Sequence, residues 1–457
     1  MKHLLYLLVV VLAFAKAEAQ EPMPQQRYSF NLEEAIAFAI DSNYTAINAR
    51  RDIAKALKQK WETTATGLPQ INANIDYQNQ LKQPVTLIPG ELTGGEPGTF
   101  VPVVFGVQQS ANLTATLSQL IFDGSYLVAL QASAAFLRFS DNAAEKTALE
   151  VRKGVINAYG GVLLTQENIR ILEKNIETLE KNLFETRKIY ENGLAEEEDV
   201  EQLQITSSQL QNQLNNARRQ EEIAKQMLNL ALGIPVETLV LLEDDLEALA
   251  MENITLSLMD QNLNYEENID YKIAYNLTEQ RELEAKLEKS KALPTLSGFI
   301  NYGTSAFDDE FVFFDSDTRW FQSSIVGVNM SIPIFSSLQR TARTQRAEIA
   351  LDQAQTDLEQ TIQEINLSLN TARSDYRFAI ENYETSKRNL QLAERIENKN
   401  QIKFTEGIGS SFDLRQAQVQ LYTAQQELLQ AMLNVIQAKA ELETILNLPN
   451  LNITIQN

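Results

Sequence analysis

The residues of this chain best suited to chemistry are acids in three short stretches. YENGLAEEEDVEQLQ, from Tyr190, sets Glu196, Glu197, Glu198 and Asp199 behind Gly193; FTEGIGSSFDLRQAQ, from Phe404, repeats the glycine and the aspartate at Gly407 and Asp413. Clustered carboxylates could hold calcium, work as a paired acid and base on a glycosidic bond, or form a solvated electronegative edge. DDEFVFFDSDTRW offers Asp308, Asp309, Asp315 and Asp317 as oxygen donors. Their spacing fits no EF-hand loop, and an exposed surface loop or a phage contact is the plainer reading. No compact domain sets two carboxylates as a catalytic pair, so no catalytic, cofactor-binding or metal residue is assigned.

Composition removes other chemistries. The one histidine is His3, and there is no cysteine. MKHLLYLLVVVLAFAKAEAQ has a basic start, an apolar core from Leu4 to Ala15 and small residues at Ala17 and Ala19, the pattern of a secretory signal spanning 1–19. That core falls short of the roughly 20 residues a spanning helix needs. Once His3 leaves with the signal, Ser-His-Asp and Cys-His nucleophiles, disulfides and ordinary zinc sites are excluded. Without Lys2, Lys16 and Glu18, the 39 basic and 61 acidic residues fall to 37 and 60, a charge of −23. So acidic a chain repels nucleic acid.

The elements that position the acids emerge from internal repetition. A shift of 214 carries Gly193 to Gly407, Asp199 to Asp413, Gln202 to Gln416 and Pro235 to Pro449 without a gap. A shift of 225 carries GLPQINANIDY, from Gly67, onto ALPTLSGFINY, from Ala292; at IFDGS, from Ile121, against IFSSL, from Ile334, the shift is 213. Twelve extra residues in the first half's loop account for the change. The chain reads as a tandem duplication: a first repeat over 20–233, a linker over 234–261 that includes LLEDDLEALAMEN, a second repeat over 262–447, and a tail over 448–457. Each repeat runs helix, strand, strand, long helix, reversal, helix. The predicted spans are strands at 68–81 and 110–122, a long helix at 125–192 and a helix at 197–232. The second set is 294–306, 321–334, 337–406 and 411–446.

A heptad seam runs through Leu414, Ala417, Leu421, Ala424, Leu428, Ala431, Val435, Ala438, Leu442 and Ile445. Val200, Leu203, Ser207, Leu210, Leu214, Ala217, Glu221, Ala224, Leu228 and Ala231 keep the same rhythm with two polar substitutions, and a soluble coiled coil would fit these segments equally well. The strands separate these readings. Ile71, Ala73, Ile75 and Tyr77 alternate with polar residues, as do Ala111, Leu113, Ala115 and Leu117; Leu296, Ile300 and Tyr302, then Val326, Val328 and Met330, echo them. Strands of about 10 residues suit a tilted membrane crossing. Open edges in lipid would leave N–H and C=O groups bare at several kcal/mol each, so the edges must pair with copies of the same chain.

At this point the sequence resembles the TolC-type outer membrane efflux proteins over nearly the whole mature chain. The doubled Gly-x5-Asp reversals, the Leu-Pro approaches to each first strand, and IFDGS and IPIFSS before the long helices carry the likeness. It implies a mainly α protein with transmembrane β structure: a homotrimer sharing a 12-stranded β-barrel, four strands per chain, in the outer membrane lipid of a Gram-negative cell. A 12-helix coiled-coil tunnel would cross the periplasm. The implied role is the exit duct of a tripartite efflux or type I secretion system, joined through a periplasmic adapter to an inner membrane transporter of RND, ABC or MFS type. The rival reading is a periplasmic coiled-coil adapter or scaffold, soluble without detergent.

The two reversals would form the periplasmic tip, where Asp199 and Asp413 can cap the returning helices by accepting backbone N–H bonds. In the family an aspartate matching Asp413 faces the pore in an acidic ring. Like charges about 8 Å apart at an effective dielectric near 20 repel by about 2 kcal/mol per pair. Glu196, Glu197 and Glu198 would meet basic adapter residues. Two departures stand out: a second pore aspartate is Gln416 here, and an arginine that holds the family's closed state is Gly409.

Overall fold

A computed structural model describes residues 27–448. The signal segment and, apart from Leu448, the tail lie outside the described residues. No described helix is long and apolar enough to cross a membrane. The chain divides into two compact units.

The unit comprising 52–141 and 273–359 is built on a four-stranded antiparallel sheet. Its strands are β2 (Gln70–Asn79), β5 (Gln109–Asp123), β7 (Thr295–Asp308) and β8 (Trp320–Ser331), in the spatial order β2-β5-β7-β8. β2 begins later than its alternation suggests because the preceding helix is still closing: Gly67 and Leu68 donate to the carbonyls of Thr64 and Ala65. β8 stops at Ser331, two residues before Pro333, which has no N–H to give a ladder.

Between β2 and β5 the sequence reads as a long loop. The structure instead forms a hairpin of β3 (Val85–Pro89) and β4 (Phe100–Val104), pairing Val85 with Val104 and Leu87 with Pro102. Pro89 at the end of β3 and Pro102 in the middle of β4 hid the alternation.

The second unit holds 27–51, 142–272 and 360–448. Here β1 (Arg27–Phe30) pairs in parallel with β6 (Leu239–Leu242), so part of the acidic linker is a partner of the first described strand. The remaining helices, some shared with the first unit, are α1 (Leu32–Ser42), α2 (Tyr44–Thr66), α3 (Gly124–Glu191), α4 (Glu197–Leu232), α5 (Leu246–Glu252), α6 (Ile269–Ser290), α7 (Gln339–Thr405) and α8 (Ser411–Ile445). Asp123 accepts the N–H groups of Ser125 and Tyr126, which starts α3 at once; Ser337 and Leu338, at positive φ, delay α7 to Gln339.

The core of this unit gathers Ala35, Tyr159, Val162, Leu228, Leu232, Tyr376, Val435 and Leu442. Of the seam residues, Leu414, Ala417, Ala424, Leu428, Ala431, Val435 and Leu442 are buried. Two polar posts recur. The Nδ2 of Asn43 donates to the carbonyl of Ala231 at 2.7 Å while its Oδ1 accepts the N–H of Thr45; the Nδ2 of Asn268 donates to Ile445 at 2.8 Å while its Oδ1 accepts the N–H of Asp270. Each asparagine thus satisfies the end of one helix and the start of another.

Candidate functional site

The two reversals close by the same hydrogen bonds. Gly193 and Leu194 donate to Tyr190 and Ile189 at 2.8 and 3.1 Å; Gly407 and Ile408 donate to Phe404 and Lys403, both at 3.0 Å. These are Schellman ends with glycine at C′, at φ of 74° and 73°. A Cβ at either glycine would meet nothing within 4 Å, so the demand for glycine is one of backbone conformation.

Asp199 and Asp413 sit at the third position of the returning helices rather than at their caps. Glu196 is the N-cap of α4, and its N–H lies 3.4 Å from the Asp199 carboxylate. Ser410 caps α8: its hydroxyl accepts the Asp413 N–H at 3.1 Å and donates to the Asp413 carboxylate at 2.8 Å. Asp413 therefore accepts a hydrogen bond from a hydroxyl, which corrects the expectation that it accepts backbone N–H bonds. Its side chain and those of Gln416, Glu196, Glu197 and Glu198 are exposed. Glu198 accepts the Gln202 amide at 2.8 Å.

The other carboxylate oxygen of Asp199 accepts the Ser411 hydroxyl, joining the two reversals. Gly409 donates to the Lys403 carbonyl at 3.0 Å, and a Cβ there would stand 2.9 Å from the Lys403 Cβ. A long side chain at 409 would collide with the end of α7, so no arginine tie forms at this position.

Composition and seam patterning gave no sign of the polar interior behind the reversals. Asn182 and Gln401 exchange amide bonds at 2.9 and 3.0 Å, tying α3 to α7. Farther along, Gln418 is 1% exposed, and among the described residues its amide has only the Glu397 carboxyl as a neighbour, in a geometry short of a well-formed hydrogen bond. Burial raises the Glu397 carboxyl above its ordinary range, opposed by the neighbouring Gln418 amide; burial and then the Glu397 charge push the Tyr422 hydroxyl up to about 12. A glutamine directly after Ala417 was the available clue.

The sheet has its own geometry. Register sets Ile71, Leu117, Ile300 and Val326 in one row; Ala73, Ala115, Tyr302 and Ser324 follow, and Tyr77, Ala111, Ala306 and Trp320 end the same face. The opposite face carries Asn72, Thr116, Asn301 and, farther along, Asn74, Thr114, Gly303 and Ser323. Exposure reaches 75% at Ile71, 79% at Ile75 and 78% at Val326, while Asn301, Thr114 and Ser305 are half-buried. On the edge strands both faces are open, since Asn72, Asn74 and Ser323 are exposed as well, while Ala111 and Ala306 on the apolar face are buried. Among the described residues, β2 and β8 are paired along one edge only.

At the end of the sheet Phe313 is buried over Ala111 and Ala306, with the Tyr77 and Phe311 rings 5.8 and 5.6 Å away. Asp308 accepts the N–H groups of Asp309 and Glu310, and Asp309 accepts that of Gln108. These carboxylates serve the loop backbone, and no group of three or more acids able to hold a metal forms among the described residues.

A model of the family described as outer membrane efflux protein matches residues 47–234 and 274–448. The chain belongs to the outer membrane efflux protein family. As a member it is a protein of the cell outer membrane, in a family of channels. It is 23% identical over 340 residues to the alkaline protease secretion protein AprF of Pseudomonas aeruginosa, covering 72% of this chain and 68% of that one. The fold matches CusC, studied for folding and transmembrane channel formation, with a TM-score of 0.72 at 16% identity over 91% of this chain and 92% of that one. The outer membrane protein VceC of Vibrio cholerae gives 0.70 at 14% identity over 91% and 95%. This is the fold of efflux channels that join a helical tunnel to a β-barrel.

Proposed function

We propose that this outer membrane efflux protein is a trimeric exit duct, serving a tripartite efflux or type I secretion system. The single observation that carries the proposal is the sheet: one apolar face, one polar face, and two edge strands that, among the described residues, are paired along one side only. β2 and β8 run in opposite senses, so β8 of one copy can pair antiparallel with β2 of the next. Each β2 edge left bare in lipid would strand about five N–H and C=O groups, a cost on the order of tens of kcal/mol. Three copies would supply 12 strands, with the apolar face toward lipid and the polar face lining the duct.

Two family matches, the paired Schellman ends and the equivalent bonds of Asn43 and Asn268 support a tandem duplication. In the trimer the reversals become six hairpins at a periplasmic tip. Asp413 lines the opening there as an acidic ring, and Glu196, Glu197 and Glu198 face a basic surface of the adapter. With Gly409 in place of the family's arginine, the Asp199–Ser411 bond holds the tip shut. AprF, named for protease secretion, favours type I export by an ABC-type transporter.

Reconstitution in planar bilayers tests the proposal. Discrete, long-lived conductance steps are expected; protein that stays in solution and leaves the bilayer silent would favour the adapter or scaffold reading.

A further inference from the structure

The sheet meets helices at one end only: β2 and β7 begin after α2 and α6, and β5 and β8 lead into α3 and α7. The opposite end carries the connection from β2 to β5 and the loop from β7 to β8. In the duct that end faces the outside of the cell.

The loop between β7 and β8 does not stand clear of the sheet. The last row of the apolar face reads Tyr77, Ala111, Ala306, Trp320, large on the edge strands and small on the central two. Phe313 fills that notch and is 7% exposed. Polar bonds hold the loop in place: the Gln108 N–H donates to the Asp309 carboxylate at 2.9 Å, the Gln109 amide donates to the Asp309 carbonyl at 3.2 Å, and the Tyr77 hydroxyl donates to Gln109 at 2.8 Å.

The neighbouring rings are left outside. Phe314 is 90% exposed and Phe311 57%. Phe311 stands edge-on to Tyr77 at 5.4 Å and lies 5.9 Å from Phe314, so the three rings continue the apolar face beyond its last row.

The height of the sheet brings lipid to this point. From Trp320 to Met330 β8 rises about 33 Å. At a tilt of about 40° that is about 25 Å of height, the full apolar band of an outer membrane barrel.

We infer that the loop from Asp309 to Arg319 is a lipid anchor, folded onto the membrane side of the barrel rim with Phe311 and Phe314 entering the outer leaflet. The occupant is lipid acyl chain, because the patch continues the face that the sheet turns to lipid and its two open rings have no polar tip to keep in water. Tyr77 and Trp320, which do, end the sheet at the headgroup boundary. Asp315 and Asp317 are exposed and hold the other side of the loop in water, so the loop is amphipathic and sits at the boundary. The inference rests on the reading of the sheet as a barrel wall, and adds to it a device that fixes the depth of the barrel in the membrane.

The absence of cysteine permits a single fluorescent label at a chosen site. Labelled Phe314→Cys, Val326→Cys and Asp413→Cys variants would be reconstituted in phosphatidylcholine vesicles, with quenching by nitroxide-bearing acyl chains compared against iodide on both sides of the membrane. Position 326 marks the lipid face of the sheet and position 413 marks water. The label at 314 should be quenched by lipid nitroxide at least three-fold more than that at 413, and by iodide at least three-fold less. Iodide quenching at 314 equal to that at 413, with 326 still quenched by lipid, overturns the anchor and leaves the barrel intact. A label at 326 that lipid nitroxide does not reach overturns both.

Phe313 gives a second reading. Phe313→Ala, added to the labelled Phe314→Cys variant, empties the notch over Ala111 and Ala306 and should cut lipid quenching at 314 at least two-fold, while the same change leaves quenching at 326 as it was. Undiminished quenching at 314 would overturn the seating of the loop on the sheet as the cause of its place in lipid.

Discussion

The Asp199 carboxylate accepts a hydrogen bond from the Ser411 hydroxyl, so the first turn of α4 is bonded to the first turn of α8. This bond joins two hairpins that also share apolar contact, with Tyr422 of α8 packed against the seam within the first hairpin. Leu172, Ile176 and Leu179 of α3 pack on Leu203, Leu210 and Leu214 of α4 as an apolar seam. Between hairpins the contacts include the exchange of Asn182 with Gln401 and the bond of Asp199 to Ser411.

Removing either end of that bond should loosen the tip. Asp199→Ala and Ser411→Ala are each expected to raise single-channel conductance, and the double variant should add little, because both delete one interaction of about 1–3 kcal/mol. Additive increases in conductance would show that the two residues act separately.

Asp413 is exposed and held by the Ser410 hydroxyl at the start of α8. Asp413→Ala should weaken cation selectivity several-fold, read as a shift of reversal potential in a salt gradient across a planar bilayer. An unchanged reversal potential would remove Asp413 from the pore.

At Gly407 the backbone φ of 73° is one a β-branched side chain adopts only under strain, on the order of 1–3 kcal/mol. Gly407→Val should reduce pump-dependent export while trimers persist. Normal export would show that the reversal tolerates the strain.

Burial raises the Glu397 carboxyl in the folded protein. The folded state therefore binds its proton more tightly than the unfolded one. The folded protein gains relative stability as pH falls from the raised value toward the ordinary carboxylate range, and loses it again as pH rises. Glu397→Gln should slow amide exchange in α7 and α8 at neutral pH, with the difference shrinking in mild acid. Equal exchange at both pH values would place the carboxyl in free contact with water.

Much of this architecture was legible from periodicity. Leu414 through Leu442 repeat at heptad spacing because one helix face is dry, and Ile71 through Tyr77 alternate because one sheet face is apolar. Gly193 and Gly407 could be found by their shared spacing to an aspartate. The hairpin from Val85 to Val104 could not, since Pro89 and Pro102 mimic loop composition and, among the described residues, its strands pair only with each other. Asn43 and Asn268 were equally opaque: their amides reach carbonyls at Ala231 and Ile445, contacts that local patterning does not encode. At the tip, the caps fell to Glu196 and Ser410 because each aspartate lies three residues into its helix, a distinction set by where the glycine turn ends.

The shared barrel is the claim on which the rest depends, and the protein mass of the purified complex in detergent, with bound detergent subtracted, tests it most directly. Three chains per particle, about 150 kDa from the 51.5 kDa chain less its signal, is the predicted result. A single chain, stable without detergent, would contradict it.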